Sequence, residues 1–177
     1  RGYPNAAGLG MDTLDPAECL VLWLGGLPAE HNAAGVFTSS SKLYGFSMNP
    51  LAPLAPPASA TEQRTLPLYQ FDQLRLGDAD ADGWLEYYPT GPANPPYTYF
   101  DNKTYGTISY GSAKVGYQHP YTNSVTAGYV HPHTFPIIAA GEDGNFGANV
   151  ATKADPAGTA NDNLTNFSTK RLEESKP

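Results

Sequence analysis

The longest apolar run of the chain is residues 19–27, CLVLWLGGL, and its flanks carry helix signals. Asp15 is a residue type that caps helix starts, and Pro16 fits the first helical turn. Gly25 and Gly26 predict the end of the helix. Apolar side chains form a broad face on this segment, so the pattern predicts a short and largely buried helix: Leu20, Val21, Trp23 and Leu24.

Residues 45–67, GFSMNPLAPLAPPASATEQRTLP, break any regular pattern because they contain five prolines. Proline removes a backbone donor and fixes its own φ, so we expect an extended arm or an irregular loop here. Four apolar side chains give this segment anchors that a free linker would not need: Phe46, Met48, Leu51 and Leu54.

Strand signals follow later in the chain. Residues 68–76 have no cleanly apolar face at either period, so helix and strand both remain open there. Residues 97–100, YTYF, are aromatic and favour a strand. Residues 134–140, TFPIIAA, also predict a strand, with Pro136 near its start or at an edge.

Composition narrows the class of protein. The 177 residues suffice for one domain with its own core, and we expect a single domain over 1–177. Formal net charge is −7 with only 10 Lys and Arg, which argues against a nucleic acid or an anionic membrane as partner. The 18 Gly, 17 Pro and 12 Tyr indicate a loop-rich, aromatic chain and not a helical bundle.

Residues 78–83, DADADG, match the first half of an EF-hand calcium loop. Such a loop needs oxygens at alternate positions and a glycine at the sixth, where the chain bends sharply. The twelfth position, a bidentate Glu in that loop, is Pro89 here, so the match is incomplete. The alternative is an exposed polar turn. The predicted calcium ligands of this first site are Asp78, Asp80, Asp82, the Trp84 carbonyl and Glu86.

Two smaller oxygen-rich clusters lie nearer the C-terminus, at 141–145 and 161–163. Each by itself is a common turn, but together they could share a hard cation. The chain has no Gly-x-Ser-x-Gly elbow, no phosphate-binding glycine loop and no singled-out pair of carboxylates. We therefore expect no enzymatic activity and no catalytic residues.

The order of three segments, ECLVLWLGG, FPIIAAGEDGNFG and DNLTNF, resembles the type II secretion pseudopilins and type IV pilin-like proteins. The likeness is greatest to the periplasmic domain of large pseudopilin-like proteins of planctomycete-type bacteria, and it extends over nearly the whole chain. It implies an α+β fold: a pilin-like globular head with a short buried N-terminal helix, a small antiparallel sheet and long irregular loops.

The resemblance also implies a second calcium site. In the family a Gly-x-Asp-Gly turn after a strand opens a calcium loop, and an acidic pair closes it. The matching positions here are Asp143 in the turn and Asn161, Asp162 and Asn163 at the closing end. The acidic pair of the family is thus replaced by Asn-Asp-Asn.

The function that the resemblance implies is a structural subunit of an extracellular or periplasmic filament, with calcium as the bound ion. Its partners would be further copies of the chain and other pilin-like subunits. We expect membrane contact only through the family's hydrophobic N-terminal helix, which these residues do not include. The alternative is a monomeric, calcium-dependent module that binds glycans or mediates adhesion. Three triplets also match the N-glycosylation sequon, at Asn102, Asn163 and Asn166.

Overall fold

The computed structural model describes twelve stretches of the chain, and the statements below concern these residues: 14–28, 43–55, 58–59, 62–79, 82–90, 94–101, 110–112, 116–118, 122–123, 128–129, 133–146 and 163–166. The chain divides into two compact units. The first consists of Arg1–Leu14 and Glu18–Pro92, and the second of Asp15–Ala17 and Ala93–Pro177. A single domain over 1–177 stays a prediction.

The predicted N-terminal helix is confirmed as α1, Pro16–Gly25. Asp15 caps it, since the Asp15 Oδ1 accepts a hydrogen bond from the Ala17 N–H at 2.7 Å. The Gly26 N–H donates to the Leu22 carbonyl at 2.8 Å, and Gly26 then leaves the helix with a φ of 84°. The local signals at both ends therefore placed the helix correctly.

The helix contributes to the core of the first unit, although not through the face that the pattern predicted. A cluster of buried residues consists of Leu22, Leu27, Leu54 and Trp84, with Leu14 and Phe46 packed against it. Leu20 and Val21 are buried as expected, whereas Trp23 and Leu24 are only partly buried. Trp23 instead lies beside the ring of Phe46, with 6.4 Å between centroids. The expectation that the Trp23 face is fully buried was wrong because the core forms around Leu22.

The proline-rich segment 45–67 is a closed loop, and its base is held by backbone contacts. The Phe46 N–H donates to the Thr65 Oγ1 at 2.8 Å, and the Thr65 N–H donates to the Phe46 carbonyl at 2.9 Å. At Gly45, with a φ of 68°, an added methyl group would lie 1.8 Å from the Thr65 carbonyl oxygen. Only glycine fits this approach. Of the predicted anchors, Phe46 and Leu54 pack inward.

The ambiguous segment 68–76 is neither one helix nor one strand. A single 3-10 turn forms at Gln73–Arg75, where the Asp72 Oδ1 accepts from the Leu74 N–H at 3.0 Å. The first strand, β1 (Leu76–Gly77), follows directly and pairs antiparallel with β2 (Glu86–Tyr87). The acidic residues 78–85 thus form the connecting loop of a β-hairpin.

The second unit contains short antiparallel strands. Two hairpins are formed by β4 (Tyr110–Ser112) with β5 (Gly116–Gln118), and by β6 (Thr122–Asn123) with β7 (Gly128–Tyr129). A three-stranded sheet has the order β3-β8-β9, where the strands are Thr98–Tyr99, Ile137–Ala139 and Leu164–Thr165. The strands predicted within 97–100 and 134–140 are confirmed as β3 and β8.

One helix and small antiparallel sheets make the described part of the chain a mixed α+β fold, as expected. No helix within the described stretches combines the length and apolar character needed to cross a membrane.

Candidate functional site

The first acidic loop is a tight turn between β1 and β2. Gly83 has a φ of 99°, in the left-handed region that favours glycine. The Gly83 N–H donates to the Asp78 Oδ2 at 3.0 Å, so the first and sixth residues of the motif are joined directly. The prediction that the sixth-position glycine permits a sharp bend is confirmed.

The far side of this loop is attached to the core of the first unit. The Asp82 Oδ1 accepts from the Trp84 N–H at 2.9 Å, and the Trp84 side chain lies in the buried cluster with Leu22 and Leu54. Packing of the indole therefore fixes the backbone of residue 84, whose carbonyl is the predicted ligand.

Glu86 closes the base of the loop. Its side chain is only 2 % exposed. The Glu86 Oε2 accepts from the Ala79 N–H and from the Tyr88 hydroxyl, both at 2.9 Å. A buried carboxylate needs such partners, because taking it out of water without them is costly. Glu86 thus links both ends of the hairpin loop.

The structure brings three of the predicted ligands of the first site into one loop: Asp78, Asp82 and Glu86. The fourth, Asp80, lies outside the described residues. Each carboxylate accepts at least one backbone N–H from the loop itself. A carboxylate has about four lone-pair positions, so these bonds leave accepting capacity for a hard cation. The donor set, oxygens alone, is the one that calcium prefers.

The second acidic turn follows β8. The Gly144 N–H donates to the Gly141 carbonyl at 3.2 Å, and the Asn145 N–H donates to the Asp143 Oδ1 at 2.8 Å. Asp143 is exposed. The Gly-x-Asp-Gly segment therefore forms the turn that the sequence predicts there.

A buried asparagine joins this turn to the start of β9. The Asn163 Oδ1 accepts from the Gly141 N–H at 3.3 Å, and the Asn163 Nδ2 donates to the Phe146 carbonyl at 3.1 Å. Asn163 is fully buried, so its amide holds both ends of the turn. The two clusters predicted to share a cation are thus adjacent at this point. Asn161 and Asp162 lie outside the described residues.

A second asparagine, Asn166, repeats this arrangement at the other end of β9. Its Oδ1 accepts from the Ile137 N–H at 2.9 Å, and its Nδ2 donates to the Phe135 carbonyl at 3.0 Å. Sequence reasoning noted Asn166 only as a sequon and missed this role. The available signal was a pair of asparagines three residues apart, flanking a two-residue strand.

These contacts bear on the sequons. The Asn163 Nδ2 is buried and already donates to a carbonyl, so the folded protein offers no room for a glycan there. Asn166 is exposed, while its Nδ2 also has a carbonyl acceptor. Asn102 lies outside the described residues.

The first unit also contains an aromatic cluster beside the hairpin. The rings of Tyr69 and Phe71, and those of Phe71 and Tyr87, pack edge to face at 4.8 Å. The Arg75 guanidinium lies 4.4 Å from the centre of the Tyr87 ring. Burial raises the pKa of the Tyr87 phenol above its usual 10.0, against the opposing influence of the Arg75 charge. Tyr69 remains half exposed.

Among the described residues, no three His, Cys, Asp or Glu side chains lie together as a ready metal-binding group. Comparisons with protein-family models, with curated proteins and with solved structures find no match for this chain. The two acidic turns and their closing residues therefore provide the basis for a functional proposal.

Proposed function

We propose that this protein is a structural subunit of an extracellular or periplasmic filament of the pseudopilin or pilin-like kind, with calcium holding its acidic loops. The fold class supports the proposal, since one helix and small antiparallel sheets are what the family resemblance implies for the globular head. The observation that carries it is the meeting of the 141–146 turn with Asn163, because the resemblance puts a calcium loop at this point.

In the second turn, the residues that would hold calcium are Asp143, on the exposed side, and the 161–163 segment, which leads into β9. The Asn163 side chain is engaged with Gly141 and Phe146, so its first role is to hold the turn together. A cation here would fix the turn against the end of a two-residue strand, and the sheet would be stabilised by ligand binding to the folded state.

In the first loop, Asp78 and Asp82 would hold the cation together with Asp80, the Trp84 carbonyl and Glu86. Hydrogen bonds from Gly83 and Trp84 already orient two of these carboxylates. Calcium would then add to a turn whose shape the backbone has set, and its role would be structural.

Calcium dependence can be measured by thermal melting of the protein in calcium and in EDTA. We expect a higher melting temperature in calcium, because an ion bound only by the folded state stabilises it. The double variant Asp78→Asn, Asp82→Asn should lose part of this difference. Asp72→Asn is the matched control, since Asp72 makes the same kind of side-chain bond to a backbone N–H outside the loop. Equal melting temperatures in calcium and EDTA for the unaltered protein would contradict the metal part of the proposal.

The filament itself needs a separate observation. Negative-stain images of the protein expressed with its native flanking sequence should contain ordered helical filaments, because a head-to-tail contact that does not close generates one. A population of single particles under all conditions would contradict the filament part while leaving the calcium measurement unaffected.

The aromatic cluster favours a second candidate function, a monomeric calcium-dependent module that binds glycans. Tyr69 is half exposed beside Phe71, and a sugar ring could stack on such a surface. Saturable binding on a glycan array, lost in Tyr69→Ala and retained in the exposed-leucine control Leu74→Ala, would favour this module over the filament subunit.

A further inference from the structure

The proline-rich loop contains two consecutive turns built from nearly the same residues. The Ala52 N–H donates to the Asn49 carbonyl at 3.0 Å, and the Ala55 N–H donates to the Ala52 carbonyl at 3.1 Å. The turn sequences are NPLA and APLA, with proline at the second position of each. Proline is favoured there because its fixed φ matches the turn.

The two turns place their leucines in opposite environments. Leu54 is 4 % exposed and lies in the buried cluster with Trp84. Leu51 is 93 % exposed and Met48 is 64 % exposed. All four residues from 48 to 51, here called the loop tip, are exposed. The second turn therefore anchors the loop, and the first presents apolar side chains to the surroundings.

The loop tip is held in place from behind. The Ser47 N–H donates to the Pro53 carbonyl at 2.8 Å, and the Leu51 N–H donates to the Asn49 Oδ1 at 3.0 Å. The Arg64 Nη2 donates to the Ala55 carbonyl at 2.9 Å from a side chain that is almost entirely buried. Because the tip is already ordered, a partner that covers it loses little conformational entropy on binding.

The surroundings of the tip in sequence are electrically neutral. Residues 43–71 contain only two charged side chains, Glu62 and Arg64. These two pair with each other, with 3.1 Å between the Arg64 Nη1 and the Glu62 Oε1. An anchored apolar tip within an uncharged segment fits an apolar partner surface, and it offers nothing to a charged one.

Net charge identifies the partner. The chain carries a formal charge of −7, so two copies repel each other over most approaches. The uncharged 43–71 segment is where two copies can meet without opposing charges, and burying Met48 and Leu51 favours that contact. We propose that the loop tip is a self-association surface that binds a second copy of this chain. Two apolar side chains bury much less than the roughly 800 Å² per partner of a stable complex, so the contact is weak on its own.

The inference is independent of the filament proposal, because a dimer would use the tip equally well. In a filament the same weak contact, repeated along the assembly, would add to others. The two ideas can therefore fail separately.

Sedimentation equilibrium of the full chain over concentrations from about 10 μM to about 1 mM tests the proposal. The weight-average mass of the unaltered protein should rise above the 18.9 kDa of one chain. The double variant Met48→Ser, Leu51→Ser should stay near that value, with an unchanged melting temperature because both side chains are exposed. The matched control is Gln63→Ser, which alters an exposed polar residue of the same loop. It should associate like the unaltered protein.

Raising NaCl from about 50 mM to about 500 mM should strengthen association, since salt screens the repulsion between like-charged copies. Association that weakens with salt, or that is unchanged in the double variant, would overturn the proposal. So would an unaltered protein that stays monomeric at about 1 mM and binds neutral phosphatidylcholine vesicles, because lipid would then be the partner. Ordered filaments formed equally by the double variant would overturn the tip contact and leave the filament proposal standing. Tip-dependent dimers without filaments would do the reverse.

Discussion

The two acidic turns differ in how they are held. In the 78–86 loop, the partners of Asp78, Asp82 and Glu86 are N–H groups and a hydroxyl no more than seven residues away. In the 141–146 turn, the main contact comes from Asn163, whose bond to Gly141 joins residues 22 positions apart. The first loop can close from its own sequence, whereas the second needs β9 to be in place.

This difference determines how a substitution should act. Removing one carboxylate from the first loop deletes a local bond that water can partly replace, because Asp78 and Asp82 are only partly buried. Removing the Asn163 amide leaves a buried N–H and a buried carbonyl without their partner and also loosens an edge of the sheet. The predictions below test this contrast from the largest expected effect to the smallest.

Asn163→Ala should destabilise the protein most, by roughly 3–4 kcal/mol, because two buried backbone groups lose their hydrogen bonds. Urea denaturation followed by circular dichroism gives the free energy of unfolding. Asn166→Ala is the matched control: it removes the same two kinds of bond at an exposed position and should cost only about 1 kcal/mol. Equal losses in the two variants would show that burial does not distinguish the two asparagines.

Glu86→Gln should cost roughly 1–2 kcal/mol, since a neutral amide oxygen accepts the Ala79 and Tyr88 hydrogen bonds less strongly than a carboxylate. The same urea titration measures it. Tyr88→Phe removes only the hydroxyl donor and should cost less than Glu86→Gln. A stabilised Glu86→Gln protein would mean that burying the charge costs more than its bonds return.

Asp78→Ala and Asp82→Ala should each cost about 1 kcal/mol in EDTA, the usual range for one partly exposed hydrogen bond. Asp72→Ala, which loses the equivalent bond to Leu74, should cost about the same or less. With calcium added, the deficits of Asp78→Ala and Asp82→Ala should grow and that of Asp72→Ala should stay constant. A calcium-dependent deficit in Asp72→Ala would contradict the placement of the ion.

The smallest expected effect concerns Tyr87. Burial raises the pKa of its phenol above 10.0, so the folded state holds this proton more tightly than the unfolded state. The resulting stability is fully present below pH 10 and is lost as the pH rises through the raised pKa. Tyr87→Phe should therefore lose slightly less stability between pH 9 and pH 11 than the unaltered protein, as measured by urea titration at each pH. A steeper loss in the variant would reverse the sign of the shift.

Several elements could be predicted from the sequence because their signals are local. Asp15, Pro16 and Gly26 act within one helical turn, and the structure has helix α1 between them. Gly83 bends the acidic loop at the position that the motif requires. In each case the deciding contact joins residues at most five apart.

Other features were not predictable because equal local sequences met different surroundings. Leu51 and Leu54 occupy the same place in successive Pro-Leu-Ala triplets, yet one is exposed and the other is buried. Trp23 appeared to be a core residue, while the core formed around its neighbour Leu22. Nothing within a few residues of these positions states which side of the segment will meet the rest of the first unit.

The sequence by itself determined the helix ends, the strands at 98–99 and 137–139, and the bend at Gly83, since each depends on backbone preferences and on bonds between near neighbours. Tertiary structure alone decided that Asn163 and Asn166 would hold β9 against β8, across 22 and 31 residues of chain. It also decided which leucine of the proline-rich loop would be buried. The physical reason is that these contacts form only after distant segments have paired, and the pairing depends on all the surfaces that are buried together.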